Sequence, residues 1–112
     1  MPGKFLAEFE LYVMLAIAQL GENAYGGAVR RDIESRTGRP ISIGALYATL
    51  SRLADKGLLT LRTSRGEPGQ RGRARRYCRL TPRGAEALRH SAVMLTKMMD
   101  GLRFAETAQK SR

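Results

Sequence analysis

The 112-residue sequence contains a single cysteine, Cys78, and no tryptophan. One thiol forms no disulfide within the chain and supplies too few ligands for a structural zinc site. The chain also lacks the run of about 18 apolar residues that a membrane-spanning helix requires. An apolar segment at residues 11–20 follows Glu8 and Glu10 instead of a basic stretch, so it does not resemble a secretory signal. We therefore expect a cytoplasmic protein without metal, cofactor or membrane partner.

Features of enzyme active sites are equally scarce. The chain has one histidine, His90, so a Cys–His nucleophile pair would have to combine it with Cys78. Cys78 lies in a strand-like run, where a small buried thiol is common, and His90 lies on the polar side of a helical pattern. The sequence contains no Gly-rich phosphate loop, paired-carboxylate motif or metal-ligand spacing. It therefore predicts a protein that is not an enzyme.

Acidic residues are nearly missing from one segment of a basic chain. The formal net charge is +10 and the isoelectric point is about 10.8. Residues 62–83 contain eight arginines against Glu67 alone, a net charge of +7, whereas residues 1–61 carry +1 and residues 84–112 carry +2. This concentration of arginine indicates a surface that binds a polyanion. A merely solubilising face is the alternative, but it poorly explains why the excess is arginine in one region.

Three helices are predicted before this basic segment. Residues 5–20 contain neither proline nor glycine and are apolar on most sides, so this helix needs cover on more than one side, most naturally from a second subunit. A second helix is predicted at residues 27–37, ended by Gly38. A third is predicted at residues 43–56, with Ser42 as its N-cap. The short connection between the second and third helices predicts a helix-turn-helix.

The third predicted helix has two contrasting faces. The apolar face, with the spacing of inward-packing residues, consists of Ile43, Leu46, Leu50 and Leu53. The opposite face consists of small and polar residues, namely Gly44, Ala45, Ala48, Ser51, Arg52 and Asp55. A surface with so little bulk is able to enter the major groove of DNA without clashes.

A β-hairpin is predicted around the basic segment, with strands at residues 58–63 and 75–80. The intervening residues 64–74 contain three glycines, one proline and three arginines, which indicates an exposed hairpin tip. A hairpin with an arginine-rich loop after two short helices is the arrangement of a winged helix-turn-helix domain, in which the loop is the wing.

The last predicted helix carries a seam for pairing with another helix. Thr81 is its expected N-cap and Pro82 its first residue. The seam has heptad spacing and consists of Ala85, Leu88, Ala92, Leu95, Met99 and Leu102. It spans too few heptads for a coiled coil alone, so we expect the first helix to share the interface. The predicted dimerisation residues are Phe5, Phe9, Leu88, Ala92, Leu95, Met99 and Leu102.

These elements predict a mostly α fold with a small β-hairpin. We expect a winged helix-turn-helix domain in residues 1–80, a dimerisation helix in residues 81–104 and a flexible tail in residues 105–112. The third helix would lie in the major groove of double-stranded DNA, and the wing would contact phosphates or the minor groove. The predicted DNA contacts are Ser42, Gly44, Ala45, Tyr47, Ala48, Ser51 and Arg52 in the helix, with Arg65, Gln70, Arg71, Arg73 and Arg75 in the wing.

Four sequence fragments occur in order over roughly residues 9–90: Ala24-Tyr25-Gly26, Ile43-Gly44-Ala45-Leu46-Tyr47, Leu50-x-x-Leu53-x-x-Lys56-Gly57-Leu58 and Arg76-Tyr77-x-x-Leu80-Thr81-x-x-Gly84. With this order and spacing, the fragments resemble PadR-type transcriptional regulators. The length and single C-terminal helix are similar to the shorter class of that family. The resemblance implies a homodimer whose first and last helices interlock and which binds an inverted-repeat operator, usually as a repressor.

The chain departs from the family pattern in two ways. Cys78 stands where members commonly have a second tyrosine, and the absence of tryptophan excludes the ligand stacking between tryptophans that some multidrug-sensing relatives use. The seam methionines Met94, Met98 and Met99 have two interpretations. They fill an irregular interface between helices, or they line an adaptable pocket for a small apolar effector.

Two other functions stay open at this stage. A low-specificity winged helix, either architectural or RNA-binding, is compatible with the bare outer face of the third helix. A winged-helix adaptor that binds proteins is the second alternative. The +7 segment argues against the adaptor, because protein interfaces deplete like charge at their centre.

Overall fold

A computed structural model of the chain describes residues 6–64 and 75–103. The described residues form four α-helices and one antiparallel hairpin, in the order helix, helix, helix, strand, strand, helix, with a short 3-10 turn after the first helix. The elements are α1 (Glu8–Leu20), α2 (Gly26–Thr37), α3 (Ile43–Asp55), β1 (Leu59–Ser64), β2 (Arg75–Leu80) and α4 (Pro82–Met99). This architecture confirms the predicted mostly α fold with a small β-hairpin.

Helix α1 crosses the centre of the domain. It begins after Ala7, whose backbone N–H donates to the Glu10 carboxylate at 3.1 Å, and it ends at Gly21, where φ is +59°. The observed start at Glu8 lies three residues after the predicted start, and the predicted dimer residue Phe5 lies outside the described residues. The buried side of α1 packs on α2, α3, α4 and β2, so this helix organises the core.

The turn between α2 and α3 is fixed by hydrogen bonds at both ends. Gly38 adopts a left-handed conformation with φ of +74° and donates to the Glu34 carbonyl at 2.9 Å, as a helix C-cap glycine does. The Glu34 carboxylate accepts from the Ile41 backbone at 2.7 Å. Ser42 Oγ then accepts from the Ala45 N–H at 3.1 Å, which confirms the predicted N-cap. The orientation of α3 relative to α2 is therefore set locally.

The inward face of α3 differs from the prediction at one residue. Leu46, Leu50 and Leu53 are buried as expected, but Ile43 is 54% exposed and Thr49 is buried in its place. Ile43 and Thr49 lie about 60° to either side of the centre of this face on ideal helical geometry. Ile43 also occupies the first turn of α3, at the edge of the domain, so the inward assignment of Ile43 was wrong.

The hairpin places its apolar residues on one side and its arginines mostly on the other. The register pairs Leu59 with Leu80 and Leu61 with Cys78 on the side that packs on the core. On the opposite side it pairs Arg62 with Tyr77. The strands match the predicted ranges to within one residue.

A third chain segment joins the hairpin edge, which the sequence did not predict. Tyr25 forms an isolated antiparallel bridge with Tyr77, and the Cys78 N–H donates to the Ala24 carbonyl at 2.8 Å. The residues just before α2 are therefore anchored to β2. This contact brings the start of α2 beside β2.

The junction between the hairpin and α4 requires a glycine. Thr81 caps α4 through a hydrogen bond from the Gly84 N–H to Thr81 Oγ1 at 2.9 Å, and the same hydroxyl donates to the Gly57 carbonyl at 2.7 Å. The Thr81 N–H donates to the Leu58 carbonyl at 3.1 Å. A Cβ at position 84 would overlap that Leu58 carbonyl oxygen. These contacts confirm the predicted N-cap and explain why the Gly84 motif residue has no side chain.

Helix α4 is shorter than the predicted segment 81–104. It ends at Met99, after which Asp100 leaves the helical conformation and Gly101 has φ of +88°. A glycine with positive φ stops a helix because it does not continue the right-handed turn. Leu102 consequently lies beyond the helix and is 60% exposed. Residues 105–112, predicted as a flexible tail, lie outside the described residues.

The hydrophobic core is made by all the main elements. The residues buried in it are Val13, Met14, Ala16, Ile17, Ala24, Val29, Ile33, Leu46, Leu50, Leu53, Leu58, Leu59, Cys78 and Leu88. Across residues 6–64 and 75–103, no helix has both the length and the apolar character needed to cross a bilayer.

Candidate nucleic-acid interface

The outer face of α3 is exposed and nearly smooth. Gly44, Ala45, Ala48 and Ser51 are all exposed, and a Cβ added at Gly44 would meet open space. The helix is held from its other side by three fully buried leucines and at its start by the Ser42 cap. A rigid helix with a thin outer face fits the major groove, which is about 12 Å wide. The structure therefore presents this face as the sequence predicted.

Arg52, another predicted DNA contact, is engaged within the domain. Its Nε lies 3.5 Å from the Glu10 carboxylate, and its Nη2 donates to Thr49 Oγ1 at 3.1 Å. The side chain is 53% exposed, so it lies at the edge of the domain instead of extending from it. In this structure Arg52 links α3 to α1.

Glu10 is the buried acid to which these contacts converge. It is 4% exposed and accepts hydrogen bonds from Lys56 Nζ at 3.0 Å and from the Ala7 N–H at 3.1 Å. Burial raises the pKa of this carboxyl, but the Lys56 and Ala7 hydrogen bonds and the Lys56 charge outweigh it, so the pKa lies below its ordinary value. Glu10 is thus a charged group that fastens α1 to the end of α3.

Tyr47 lies between α3, the start of α2 and the hairpin. Its hydroxyl is so close to Gly26 that a Cβ there would overlap it. The Arg76 guanidinium lies 5.7 Å from the centre of the Tyr47 ring. Tyr47 is half-buried and packs against the hydrophobic core, so its ring contributes to packing within the domain.

Five residues on the outer side of the hairpin and the adjoining start of α2 form what we call the arginine–tyrosine cluster: Tyr25, Arg31, Arg62, Arg75 and Tyr77. The Arg75 guanidinium lies 4.3 Å from the centre of the Tyr25 ring, and that of Arg62 lies 5.0 Å from the centre of the Tyr77 ring. Arg31 Nη2 donates to the Tyr25 hydroxyl at 2.8 Å. The two rings meet edge-on, with centres 5.7 Å apart.

Of this cluster, the sequence singled out only Arg75 as a site residue. The predicted strands 58–63 and 75–80, paired end to end, would have placed Arg62 opposite Arg76, whereas the observed register pairs Arg62 with Tyr77. The approach of Tyr25 to Tyr77 could not be predicted either, because it depends on a bridge between distant segments. A hydrogen bond with Tyr77, followed by the nearby Tyr25, raises the pKa of Arg75, which favours its charged form.

The tip of the wing is not part of the described structure. The predicted contacts Arg65, Gln70, Arg71 and Arg73 therefore lie outside the described residues. The ends of the loop are fixed, because Ser64 pairs with Arg75 at the last described step of the hairpin. These two ends place the base of the wing beside the arginine–tyrosine cluster.

An apolar groove lies between α1 and α4. Its volume is about 520 Å³, and its apolar lining includes Leu6, Leu11, Met94, Leu95 and Met98. Beyond Leu88 the helix exposes large apolar side chains, with Leu95 46%, Met98 78% and Met99 44% exposed. Leu95, which lines the groove, and Met99 belong to the predicted dimer seam.

The predicted dimer residues do not all lie on this surface. Leu95 and Met99 are exposed on α4, as is Ala92, and Phe9 is half-buried against the core. Leu88 belongs to the core of its own chain and is only 8% exposed. Leu88 therefore follows the heptad spacing because it packs on the winged helix domain of its own chain, and its side chain is not exposed for contact with a second subunit.

Cys78 has the environment of a packing residue. It is 4% exposed, lies opposite Leu61 and has a thiol 3.8 Å from the Arg76 carbonyl oxygen. Burial raises the pKa of the thiol to about 11, so it is protonated near neutral pH. Over the described ranges, no three or more His, Cys, Asp or Glu side chains come together in a way that could hold a metal ion.

Comparisons with known proteins agree with this architecture. The profile of the PadR-like family of transcriptional regulators matches residues 14–90. A PadR family transcriptional regulator from Eggerthella lenta is 33% identical, with 84% of this chain and 83% of that chain covered and a TM-score of 0.63. No match was found among curated proteins.

Two more distant structures share the fold. A PadR-like transcription factor from Bacteroides fragilis is 22% identical, with 93% of this chain and 89% of that chain covered and a TM-score of 0.65. BpsR of Bordetella bronchiseptica is 21% identical, with 99% of this chain and 78% of that chain covered and a TM-score of 0.66. The DNA binding of BpsR is regulated by 6-hydroxynicotinic acid. The family profile and the Eggerthella relative confirm the resemblance found in the sequence motifs. The chain belongs to the PadR-like family of transcriptional regulators.

Proposed function

We propose that this protein is a sequence-specific DNA-binding repressor that acts as a homodimer on an inverted-repeat operator. The observation that carries the proposal is the outer face of α3, which is exposed, free of bulk and rigidly supported. The high positive charge of residues 62–83 supplies the complementary surface for a polyanion. The protein acts by binding and not by catalysis.

Helix α3 reads the major groove with few polar groups. Ser51 supplies a hydroxyl, and Ala45 and Ala48 supply methyl groups that suit the thymine methyl. Ser42 contributes a hydroxyl at the start of the helix, although its oxygen already accepts the capping hydrogen bond. Gly44 permits close approach of the helix backbone. Specificity then depends on shape and apolar contacts as much as on hydrogen bonds.

The wing supplies most of the affinity. Its proposed contacts to phosphates or the minor groove come from Arg65, Gln70, Arg71, Arg73 and Arg75. If six or more phosphates are neutralised per dimer, the logarithm of the association constant falls against the logarithm of salt concentration with a slope of about −5 or steeper.

The second copy of the chain occupies the groove between α1 and α4. The α4 side of this groove carries exposed Leu95 and Met98. The α1 side carries half-buried Leu6 and Leu11. A helix with such a face requires an apolar partner, and a symmetric homodimer buries the same face twice. Two DNA-binding faces related by a two-fold axis bind half-sites separated by about one helical turn, which accounts for an inverted repeat.

The methionines of this groove also suit a small apolar effector. Met94 and Met98 have flexible side chains that adapt to a ligand as readily as to a partner helix. Hydrophobic cations and phenolic compounds are the first probes for a thermal-shift screen. An effector should raise the melting temperature and release the protein from DNA, and a screen with neither effect would remove this part of the proposal.

A low-specificity winged helix is the competing function, and the scarcity of polar side chains on the outer face of α3 favours it. The two are separated by selecting bound fragments from genomic DNA and comparing affinity for the selected and scrambled duplexes. The repressor requires a ratio of about 10³ or more, whereas a ratio near one supports the alternative. Repression is then measured with the selected operator placed before a reporter gene.

The role of α3 in this binding is tested with one substitution and a matched control. Ala48→Glu places a bulky anion on the face that enters the groove, and we expect it to abolish specific binding. Val93→Glu introduces the same side chain at an exposed position of α4 outside the predicted seam and should leave binding nearly unchanged. Equal effects of the two variants would contradict the assignment of α3 as the recognition helix.

A further inference from the structure

The arginines of this protein have two different kinds of partner. Among the described residues, four arginines form ion pairs with carboxylates: Arg30, Arg36, Arg52 and Arg89. Four others lie over tyrosine rings instead: Arg31, Arg62, Arg75 and Arg76. All of the second group lie in α2 or on the hairpin. In α2 and the hairpin, tyrosine rings therefore orient these four guanidinium groups without neutralising their charge.

Stacking on a ring changes what an arginine offers to a partner. When a guanidinium pairs with a carboxylate, its charge is neutralised locally and several of its N–H donors are already hydrogen-bonded. One that lies over an aromatic face keeps its positive charge unpaired, and its N–H groups that do not bond to a tyrosine hydroxyl stay available to a partner. The ring also restricts the motion of the long side chain. Fewer side-chain conformations are then lost when an anion binds.

The geometry of the cluster joins these cations into one surface. The edge-on contact of Tyr25 and Tyr77, together with the backbone bridge between them, fixes the two rings relative to each other. Arg62 and Arg75 project from adjacent strands, and Arg31 reaches the Tyr25 hydroxyl from α2. None of these three arginines forms an ion pair within the described part of the chain. The surface is a preformed group of three cations with no internal anion partner.

We propose that Tyr25 and Tyr77 are positioning residues that hold Arg31, Arg62 and Arg75 as a preformed contact for the DNA backbone flanking the bases read by α3. This inference rests on the proposed function, because it assigns the cluster to the same DNA complex. Its partner is the phosphodiester chain of the duplex, which offers regularly spaced single negative charges and carries no sequence information. The cluster therefore adds affinity, and not base preference, outside the core of each half-site.

The test compares ring removal with ring retention on the selected operator. Tyr25→Leu and Tyr77→Leu remove the aromatic face beneath the arginines but leave every positive charge in place. Tyr25→Phe and Tyr77→Phe keep the face. Arg89→Ala removes one positive charge from α4, outside the cluster, and controls for net charge. Affinity is measured by fluorescence anisotropy at several salt concentrations, on duplexes that end at the half-sites and on duplexes extended by about 10 base pairs on each side.

We expect each leucine variant to lose about fivefold or more in affinity on the extended duplex and to flatten the salt slope by about 1 for each lost phosphate contact. The phenylalanine variants should stay within about threefold of wild type, because the aromatic face is retained. On the short duplex all variants should bind nearly alike. Thermal unfolding of each variant identifies those that fail to fold. If a leucine variant does not fold, Arg75→Lys replaces it in the test, because it keeps the charge but not the planar stacking group. We expect Arg75→Lys to lose affinity to the same extent on the extended duplex.

The outcomes separate this inference from the function on which it rests. If wild-type protein selects no operator, the proposed function itself fails. If wild type binds its operator but the leucine variants and Arg75→Lys match Arg89→Ala in affinity and salt slope on the extended duplex, the positioning role of the two tyrosines is overturned and the proposed function stands.

Discussion

Glu10 and Lys56 connect the first helix to the end of the third. The Lys56 Nζ lies 3.0 Å from a Glu10 carboxylate oxygen, and Glu10 is almost completely buried. The first helix carries part of the proposed dimer face, and the third carries the proposed DNA face. This ion pair therefore connects the two proposed surfaces directly.

The first prediction concerns pH and stability. Because the pKa of Glu10 is lower in the folded protein than its ordinary value of 4.5, its contribution to stability is complete well above pH 4.5 and is lost as the pH falls through the folded pKa. Glu10→Gln should lower the free energy of unfolding by about 2 kcal/mol at pH 7, since it leaves Lys56 without its charged acceptor. The difference between wild type and variant, measured by denaturant unfolding, should shrink in acid.

Glu86→Gln is the matched control for that experiment. Glu86 pairs with Arg89 within α4, but both side chains are about two-thirds exposed. Exposed pairs of this kind contribute roughly 0–1 kcal/mol. Equal destabilisation by the two glutamine variants, or a Glu10 effect that does not depend on pH, would contradict a charged pair between buried Glu10 and Lys56.

The second prediction uses two glycines in helices. A Cβ at Gly84 would overlap the Leu58 carbonyl oxygen, whereas a Cβ at Gly44 would meet open space. Gly84→Ala should therefore destabilise the protein by about 1–3 kcal/mol, because backbone must move to make room. Gly44→Ala should be neutral or stabilising by up to about 1 kcal/mol, because alanine is the better helix former. Thermal unfolding of both variants compares them directly. A Gly84→Ala variant more stable than Gly44→Ala would contradict the close contact between Gly84 and the Leu58 carbonyl.

The third prediction concerns Cys78. Burial raises its thiol pKa to about 11, so very little thiolate exists at pH 8. A thiol-specific reagent should modify native protein far more slowly than protein unfolded in guanidinium chloride. Rapid modification of the native protein would place Cys78 at the surface and contradict the register that pairs it with Leu61.

The fourth prediction concerns the dimer. Leu95→Glu places a charge in the groove between α1 and α4 and should shift the protein from dimer to monomer in light scattering after size exclusion. Val93→Glu makes a similar change about 160° around the same helix and should leave the dimer intact. A dimer that survives Leu95→Glu, or a wild-type monomer, would remove the proposed two-fold arrangement.

Much of the fold could be predicted from the sequence, because its signals are local. Ser42 and Thr81 cap helices within three residues of themselves, and Gly38 ends α2 by its own backbone conformation. The hairpin strands follow from the glycine-rich segment that separates them. The smooth outer face of α3 follows from helical periodicity alone.

The features that escaped prediction depend on distant contacts. The ion pair of Glu10 could not be predicted, because its partner Lys56 lies 46 positions away in the sequence. Tyr25 and Tyr77 meet only because the chain before α2 joins the hairpin edge. Heptad spacing likewise cannot show that Leu88 packs on its own domain.

The most direct test of the DNA complex is the salt dependence of operator binding. Wild-type dimer should give a slope of about −5 or steeper in a plot of log association constant against log salt. The double variant Arg71→Ala, Arg73→Ala removes four wing charges per dimer and should make the slope shallower by up to about 3.6, with weaker binding to every sequence. An unchanged slope in the double variant would contradict the wing as the phosphate contact.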